Sequence, residues 1–201
     1  MEILALIPAR SGSKRLPNKN NMLFKGTPMI TLPIEQARDS KYITRTVVVT
    51  DDSVSASIAR QYHCEIINEP QYLAKDDVAM KEVVKWTLEH LQKYESYKPY
   101  YFILLQPSSP LRTVEDIDSA IKLMIDKDAD SVDSRCKGKQ NGAIYICKPH
   151  ILTGYDMDFI GHHHYTFDMA EDRSADVDTL KDFQQVEDGL EIIKIKKEKK
   201  K

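Results

Sequence analysis

Apolar, β-branched runs at Ile3–Ile7, Arg45–Thr50, Cys64–Ile67, Tyr101–Gln106 and Ala143–Cys147 read as strands. Tyr165–Phe167 is a weaker run, and a short "DSV" run ends at Ser131–Val132. Between them the apolar positions shift to helical spacing. Val54, Ile58 and Ala59 share a face in Ser53–His63, and Val83, Val84, Thr87, Leu88 and Leu91 form a stripe in Val78–Tyr94. Val114, Ile117, Ile121 and Met124 do the same in Val114–Lys127, as do Leu180, Phe183, Val186 and Leu190 in Thr179–Leu190. Strands that alternate with helices predict an α/β fold, a doubly wound, mainly parallel sheet with helices on both faces. Such sheets bind ligands outside the carboxyl ends of their strands.

Two stretches interrupt the alternation. After Ser131–Val132 the chain reads "DSRCKGKQ" and passes directly into "NGAIYI". The last stretch, "IKIKKEKKK", is a lysine run that reads as a solvated tail over residues 196–201. The 201 residues suit one domain, expected over 1–195, and no internal repeat interrupts it.

Charge narrows the classes of function. Lys+Arg 29 against Asp+Glu 31 leaves a net charge of -2, so no global field recruits nucleic acid. Aromatic residues are not interleaved with the basic ones, which also speaks against a nucleic-acid partner. No run approaches the roughly 20 apolar residues that span a bilayer, so no membrane partner is expected. Cys64, Cys136 and Cys147 show no CxxC spacing, and the chain opens on "EILALIP" without a basic leader. Together these predict a reduced, cytoplasmic protein. Any anion site must be local.

The local candidate is "LIPARSGSKRLPNKN", residues 6–20, directly after the first strand. It carries Arg10, Lys14, Arg15 and Lys19 among small residues. It has neither the G-x-x-x-x-G-K-[ST] of a P-loop nor the three glycines of a dinucleotide fingerprint. Ser11-Gly12-Ser13 lets backbone N–H groups approach an anion, and Pro8 and Pro17 restrict the backbone at both ends. Arg10 offers a planar fork to phosphate oxygens, and Lys14 and Lys19 offer compact charges. The alternative is a solvated basic loop, but its place after a buried strand favours phosphate binding.

Two later stretches carry polar chemistry. In "LLQPSSPLR" (104–112) a strand ends in Gln106, with Ser108 and Ser109 between prolines and Arg112 before a helix. Thr113 followed by Asp116 fits a capping box, so the segment is either a strand end and helix start or a hydrogen-bonding wall for a polyhydroxylated substrate. In "SADVDTLKDF", Asp176 and Asp178 flank Val177. In extended backbone both carboxylates point the same way, as two hard oxygen donors for Mg²⁺. Alternatively, Asp178 or Thr179 caps the following helix. The run His162-His163-His164 is not read as a metal site, because consecutive histidines on regular structure do not converge on one ion.

"IPARSGSKRLPNKN" closely resembles the signature of the cytidylyltransferases that activate α-keto acid sugars, the CMP-N-acylneuraminate synthetases and their CMP-Kdo and CMP-pseudaminate relatives. "LLQPSSPLR", "NGAIYI" (141–146) and "SADVDTLKDFQQVE" (174–187) are similar to that family's later motifs and stand in the same order. The resemblance implies that the first loop wraps the triphosphate of CTP, with Arg10, Ser13, Lys14, Lys19 and Asn20 as contacts and Glu69 and Asp76 beside the nucleotide. It implies that Gln106, Ser108, Ser109, Asn141 and Tyr145 face the sugar, with Phe159 as an apolar wall or an ordinary core aromatic. It also implies that Asp176 and Asp178 hold Mg²⁺, and that Arg10, Lys19 and Asp178 carry the catalytic charge.

The chain departs from that family in two places. Where the family usually has an arginine before the proline that helps to hold the base, "INEPQYLAKDD" has Glu69, and Met80 stands where a small hydroxyl residue is common. A carboxylate there could accept from the N4 amino group of cytosine. The family also has several dozen residues between the "DSV" strand and "NGAIYI", an insert that carries much of the dimer interface and cationic contacts to the sugar carboxylate. Here only 133–140 remain, with Lys139 where an arginine is common. The reading is therefore transfer of CMP from CTP to an α-keto acid sugar of the sialic-acid type, with pyrophosphate released. Homodimerisation is weakened by the short connection. The alternatives are a CTP-binding protein without turnover, and a Kdo, pseudaminate or legionaminate synthetase.

Overall fold

A computed structural model describes the protein over residues 1–153 and 159–198, with side chains outside position 153 and positions 190–198. In chain order the elements are β1 (Ile3–Pro8), β2 (Leu23–Phe24), β3 (Thr27–Pro28), α1 (Thr31–Asp39), β4 (Arg45–Thr50), α2 (Ser53–Gln61) and β5 (Glu65–Asn68). They continue as α3 (Met80–Glu95), β6 (Tyr101–Leu104), α4 (Val114–Asp126), β7 (Ser131–Cys136), β8 (Lys139–Cys147), β9 (His164–Asp168) and α5 (Leu180–Glu198). Seven strands form one sheet in the order β5-β4-β1-β6-β8-β7-β9, and β2 pairs with β3 in a separate hairpin. Among the described strands of the large sheet, β8 alone runs against its neighbours. The expected doubly wound, mainly parallel sheet is present.

Alternation along β1 explains why both faces are covered. Ile3, Ala5 and Ile7 pack with Ile34 and Ala37 of α1, Ala59 of α2 and Ile117, Ala120 and Ile121 of α4. Leu4 and Leu6 point the other way, against Val83, Val84 and Leu91 of α3. β1 therefore lies buried in the middle of the sheet, and the loop after Pro8 emerges at its carboxyl edge. A third cluster, Leu16, Phe24, Met29, Val177 and Phe183, fastens the first loop and the small hairpin to α5.

Several local predictions shift. α1 was not visible in the pattern, because Pro33 reads as a breaker. It sits in the first turn, where a backbone N–H has no intrahelical partner to lose. The buried face of α2 is Ser55, Ala56 and Ala59, and Val54 stands 53% exposed. The stripe predicted for the last helix holds at Phe183, which is buried, but Leu180 is exposed. α5 runs on to Glu198, so part of the lysine-rich stretch is helical. Leu190's side chain and residues 199–201 of that stretch lie outside the described residues.

The short connection after the "DSV" run is a finished structure. β7 and β8 pair down to Cys136 opposite Lys139, and Lys137 and Gly138, with φ of 50° and 76°, make the two-residue turn between them. Two consecutive left-handed residues give a turn whose twist matches a hairpin. A register shift between Asp133 and Arg135 bends the ribbon.

Candidate active site

The carboxyl ends of β1, β5 and β6 open onto one cleft of about 540 Å³. Its floor and walls take Arg10, Ser13, Lys14, Arg15, Lys19 and Asn20 from the first loop. Glu69 comes from the end of β5, and Val78, Met80 and Val83 come from the approach to α3 and its first turn. Gln106, Pro107 and Ser108 follow β6, and Asp178 precedes α5. Two sides can be told apart. The Val78–Met80–Val83 wall is apolar with one carboxyl group, and the Gln106–Ser108–Asp178 wall is polar.

Carboxylates hold the basic loop in place. Ser11 donates from its backbone N–H and its hydroxyl to Asp51, each at 2.7 Å. Asp52 caps α2 through Val54 and Ser55 and also accepts from Asn21 at 2.7 Å. Asn20 donates to the Arg10 carbonyl at 3.1 Å, which folds the loop back on itself. The cations then share two acids. Arg10 and Lys14 meet Asp76 at 3.1 and 3.0 Å, and Arg15 and Lys19 meet Asp178 at 3.0 and 3.1 Å. Arg10 also donates to the Lys75 carbonyl at 2.7 Å. Each of these two carboxylates is thus shared by two cations. Lys19, 16% exposed, is the cleft's most enclosed cation, whereas Lys14 is 84% exposed. Partly buried charges are screened less by salt than exposed ones, so Lys19 is the cation whose field an anion in the cleft feels most.

The two aspartates stand where alternation puts them. Val177 is fully buried in the third cluster, and its N–H donates to the Ser108 carbonyl at 2.8 Å. Asp176 and Asp178 therefore flank it on the opposite side. Asp178 is free for this role because Thr179 and Asp182 make the helix cap between themselves. Thr179 donates to Asp182 from N–H and hydroxyl at 2.8 Å, and Asp182 N–H returns to the Thr179 hydroxyl at 3.2 Å. Asp176 is exposed and stands outside the residues that line the cleft, beside Asp178, which does line it. Desolvation raises the Asp176 carboxyl above the usual range and Asp178 adds to this, while Ser108, Lys19 and Arg15 oppose it. Two carboxylates that feel each other, beside a phosphate-sized basic cleft, suit Mg²⁺, which takes one or two carboxylates together with substrate phosphates and waters.

On the polar wall, Gln106 donates to the Gly142 carbonyl at 3.4 Å and lines the cleft with Ser108. Ser109 is buried behind them and does not line it. The remaining expected sugar contacts are not brought to this cleft. Asn141 accepts from Ser134 and the Ala143 N–H and donates to Ser174 at 3.1 Å. Tyr145 and Phe159 stack at 5.7 Å between ring centroids within the cluster on the α3 face, where Phe159 also meets Phe102.

Four features escaped the sequence reading. Arg15 had no assigned role, although it shares Asp178 with Lys19. Asp51 supports the loop through Ser11. Val78 and Val83 complete the apolar wall. Arg112, 2% exposed, ties three elements together. It donates to the Ala143 carbonyl at 2.6 Å, to the Gln106 carbonyl at 3.4 Å and to the Gln36 side chain at 2.9 and 3.2 Å. Burial brings its guanidinium down to about 9, which leaves it charged at neutral pH. The expected capping box at Thr113 and Asp116 is present, and Asp116 also takes Arg173 at 2.9 and 3.0 Å.

A family model described as cytidylyltransferase matches residues 4–159. The N-acylneuraminate cytidylyltransferase of Escherichia coli O18:K1:H7 is 30% identical over an alignment of 219 positions, covering 91% of this chain and 51% of that protein. The alignment exceeds the 201 residues of this chain, so the relative carries additional residues within the matched span. The CMP-N,N'-diacetyllegionaminic acid synthase of Legionella pneumophila is 37% identical over 127 residues, covering 61% of this chain and 53% of that protein. The chain thus spans about half the length of these curated relatives. Among solved structures, a CMP:2-keto-3-deoxy-manno-octonic acid synthetase complexed with CTP superposes with a TM-score of 0.73 at 17% identity, covering 94% of this chain and 98% of that one. A cytidylyltransferase from Leptospira borgpetersenii superposes with a TM-score of 0.68, also at 17% identity, over 93% of this chain and 85% of that one. These two likenesses are of fold.

Proposed function

This chain belongs to the cytidylyltransferase family, and from that premise we propose that it transfers CMP from CTP to the anomeric hydroxyl of an α-keto acid sugar of the sialic-acid type. The observation that carries the reading is the convergence of Arg10, Lys14, Arg15 and Lys19 on one cleft that also holds Asp178. A triphosphate entering the cleft exchanges its oxygens for the carboxylates that now hold these cations. Arg10 and Lys19 then lie where charge grows as pyrophosphate departs, and catalysis by fixed charge at such a point needs no reorganisation. The sugar hydroxyl oxygen forms a bond to the α-phosphorus, the bond from that phosphorus to the bridging oxygen breaks, and the hydroxyl proton passes to solvent. Alignment of the two substrates supplies the rest of the rate.

Asp176 and Asp178 would hold Mg²⁺, which, when bound, polarises the phosphate oxygens as a Lewis acid. Gln106 and Ser108 form the polar wall against which the sugar would be oriented. On the same reading the protein works in the cytoplasm. The relatives described above act, by their names, on N-acylneuraminate and on N,N'-diacetyllegionaminic acid, and the sialic-type acceptor is proposed over its rivals from the longer match.

One observation favours a second reading, nucleotide binding without turnover. Asn141, Tyr145 and Phe159 are engaged away from the cleft, and the β7–β8 hairpin closes in two residues where the resemblance implies a long insert. The test is pyrophosphate release with CTP, Mg²⁺ and a panel of sialic, legionaminic, pseudaminic and Kdo acceptors. Release with a sialic acid supports the proposal, and release with another acceptor reassigns the sugar. CTP binding with no release from any acceptor supports the second reading.

A further inference from the structure

The segment between β9 and α5 delivers Asp176 and Asp178, and its middle has no packing to hold it. Met169 at its start is buried in the cluster that includes Ile117 and Ile121 of α4, and Val177 near its end is buried with Leu16 and Phe183. Between these two points none of the described side chains of residues 170–176 is buried, and the regular structure amounts to one 3₁₀ turn at Glu171–Arg173. Apolar burial therefore does not fix where Asp176 stands. Polar ties have to do it.

Two residues make those ties. Ser174 donates its hydroxyl to the Ala170 carbonyl at 2.8 Å and accepts from the Asn141 amide of β8 at 3.1 Å. Arg173 makes the charged tie, a bidentate fork in which Nε and Nη2 meet Asp116 Oδ2 and Oδ1 at 2.9 and 3.0 Å. Asp116 is 3% exposed and lies in the first turn of α4, where the Thr113 hydroxyl and N–H also donate to it at 3.0 and 3.1 Å. Ile117, Ala120 and Ile121 seat that helix in the core. The fork thus joins an unpacked segment to a rigid element. Arg173 and Val177 are its two fixed points, and Asp176 stands between them.

The geometry points to Arg173 as a positioning residue that, through the buried Asp116, sets the place of Asp176 beside Asp178. This rests on the metal reading of the two aspartates given above. A pair of carboxylates serves an ion only when its oxygens are presented together, and loss of a group that orients metal ligands typically costs roughly 10- to 100-fold in metal affinity. Arg173 does not line the cleft, so the contacts to the nucleotide itself are expected to survive its replacement. Asp116 keeps both Thr113 donors and the neighbouring Arg112 charge when Arg173 is removed, so the fold is expected to survive as well.

The test is calorimetric titration with CTP, once in excess Mg²⁺ and once with a chelator, for the native protein, Arg173→Gln, Asp176→Asn and the double variant. The ratio of the two affinities isolates the gain due to the metal. Arg173→Gln is expected to bind metal-free CTP as the native protein does and to lose roughly tenfold of the gain from Mg²⁺. In the Asp176→Asn background the same substitution is expected to change nothing further, because it acts through Asp176. Asp116→Asn weakens the fork from its other end and should show the same kind of loss, which keeps the test open if Arg173→Gln does not fold. An unchanged gain in folded Arg173→Gln, an equal loss with and without metal, or an additive loss in the Asp176→Asn background overturns the proposal while leaving nucleotide and metal binding standing. A native protein that binds CTP equally well with and without Mg²⁺ overturns both the proposal and the metal reading beneath it.

Discussion

Replacing Glu69 by glutamine tests the chemistry of the cleft before any ligand is added. The carboxyl titrates at about 7 in the folded protein, against 4.5 for a free glutamate, because it is buried and faces Asp51 with only partial relief from Arg10. Between these two values the folded chain holds a proton that the unfolded chain has released. Stability from this group is therefore complete below pH 4.5, falls as pH rises toward 7, and is constant above it. A displacement of 2.5 pH units corresponds to about 3 kcal/mol at 25 °C. Glu69→Gln removes the titration while keeping shape and polarity. Other groups, such as Asp52 and Asp182, also change stability with pH, but they do so equally in both proteins. Urea unfolding of the two proteins at a series of pH values should show the variant gaining on the native chain by about 3 kcal/mol between pH 4.5 and 7.5, with the same denaturant slope. Parallel curves would refute the claim that the native carboxyl is held neutral.

The site and its supports lead to three further expected outcomes. Asp178→Asn should abolish Mg²⁺-dependent pyrophosphate release and yet tighten metal-free CTP binding several-fold, because Arg15 and Lys19 lose the acid they share; calorimetry with a chelator present checks the second effect. Arg112→Met leaves the buried Ala143 carbonyl and the half-buried Gln36 amide oxygen without their donor. Two such orphans should cost roughly 2–5 kcal/mol, read as a loss of urea midpoint. Thr179→Ala removes the cap of α5 and should cost about 1 kcal/mol, measured by the same unfolding, with CTP affinity falling only as far as Asp178 moves.

What could be read from the sequence was what depends on neighbours in the chain. The period of two along β1, the capping box at Thr113, and the opposition of Val177 to Asp176 and Asp178 are all local, and all stand in the structure. α1 was hidden because a proline is destructive inside a helix and harmless in its first turn, and only the position of the first turn tells the two apart. The acids that position the basic loop were invisible as partners. Asp51, Asp76 and Asp178 come from three separate connections that meet only once the parallel strands align their carboxyl ends. Asn141 and Tyr145 show a different limit. Their side-chain directions are set by the register of β8 against β6 and β7, and residue type alone does not carry that register.

The central claim is that the loop after β1 is a cradle for a nucleoside triphosphate. Its most direct test is the affinity of the native protein and of Lys19→Ala for CTP, CDP and CMP at one fixed salt concentration. The account predicts that affinity falls with each phosphate removed, and that Lys19→Ala weakens CTP by at least tenfold while barely changing CMP. Equal affinity for all three nucleotides, or an equal loss on all three in the variant, would contradict it.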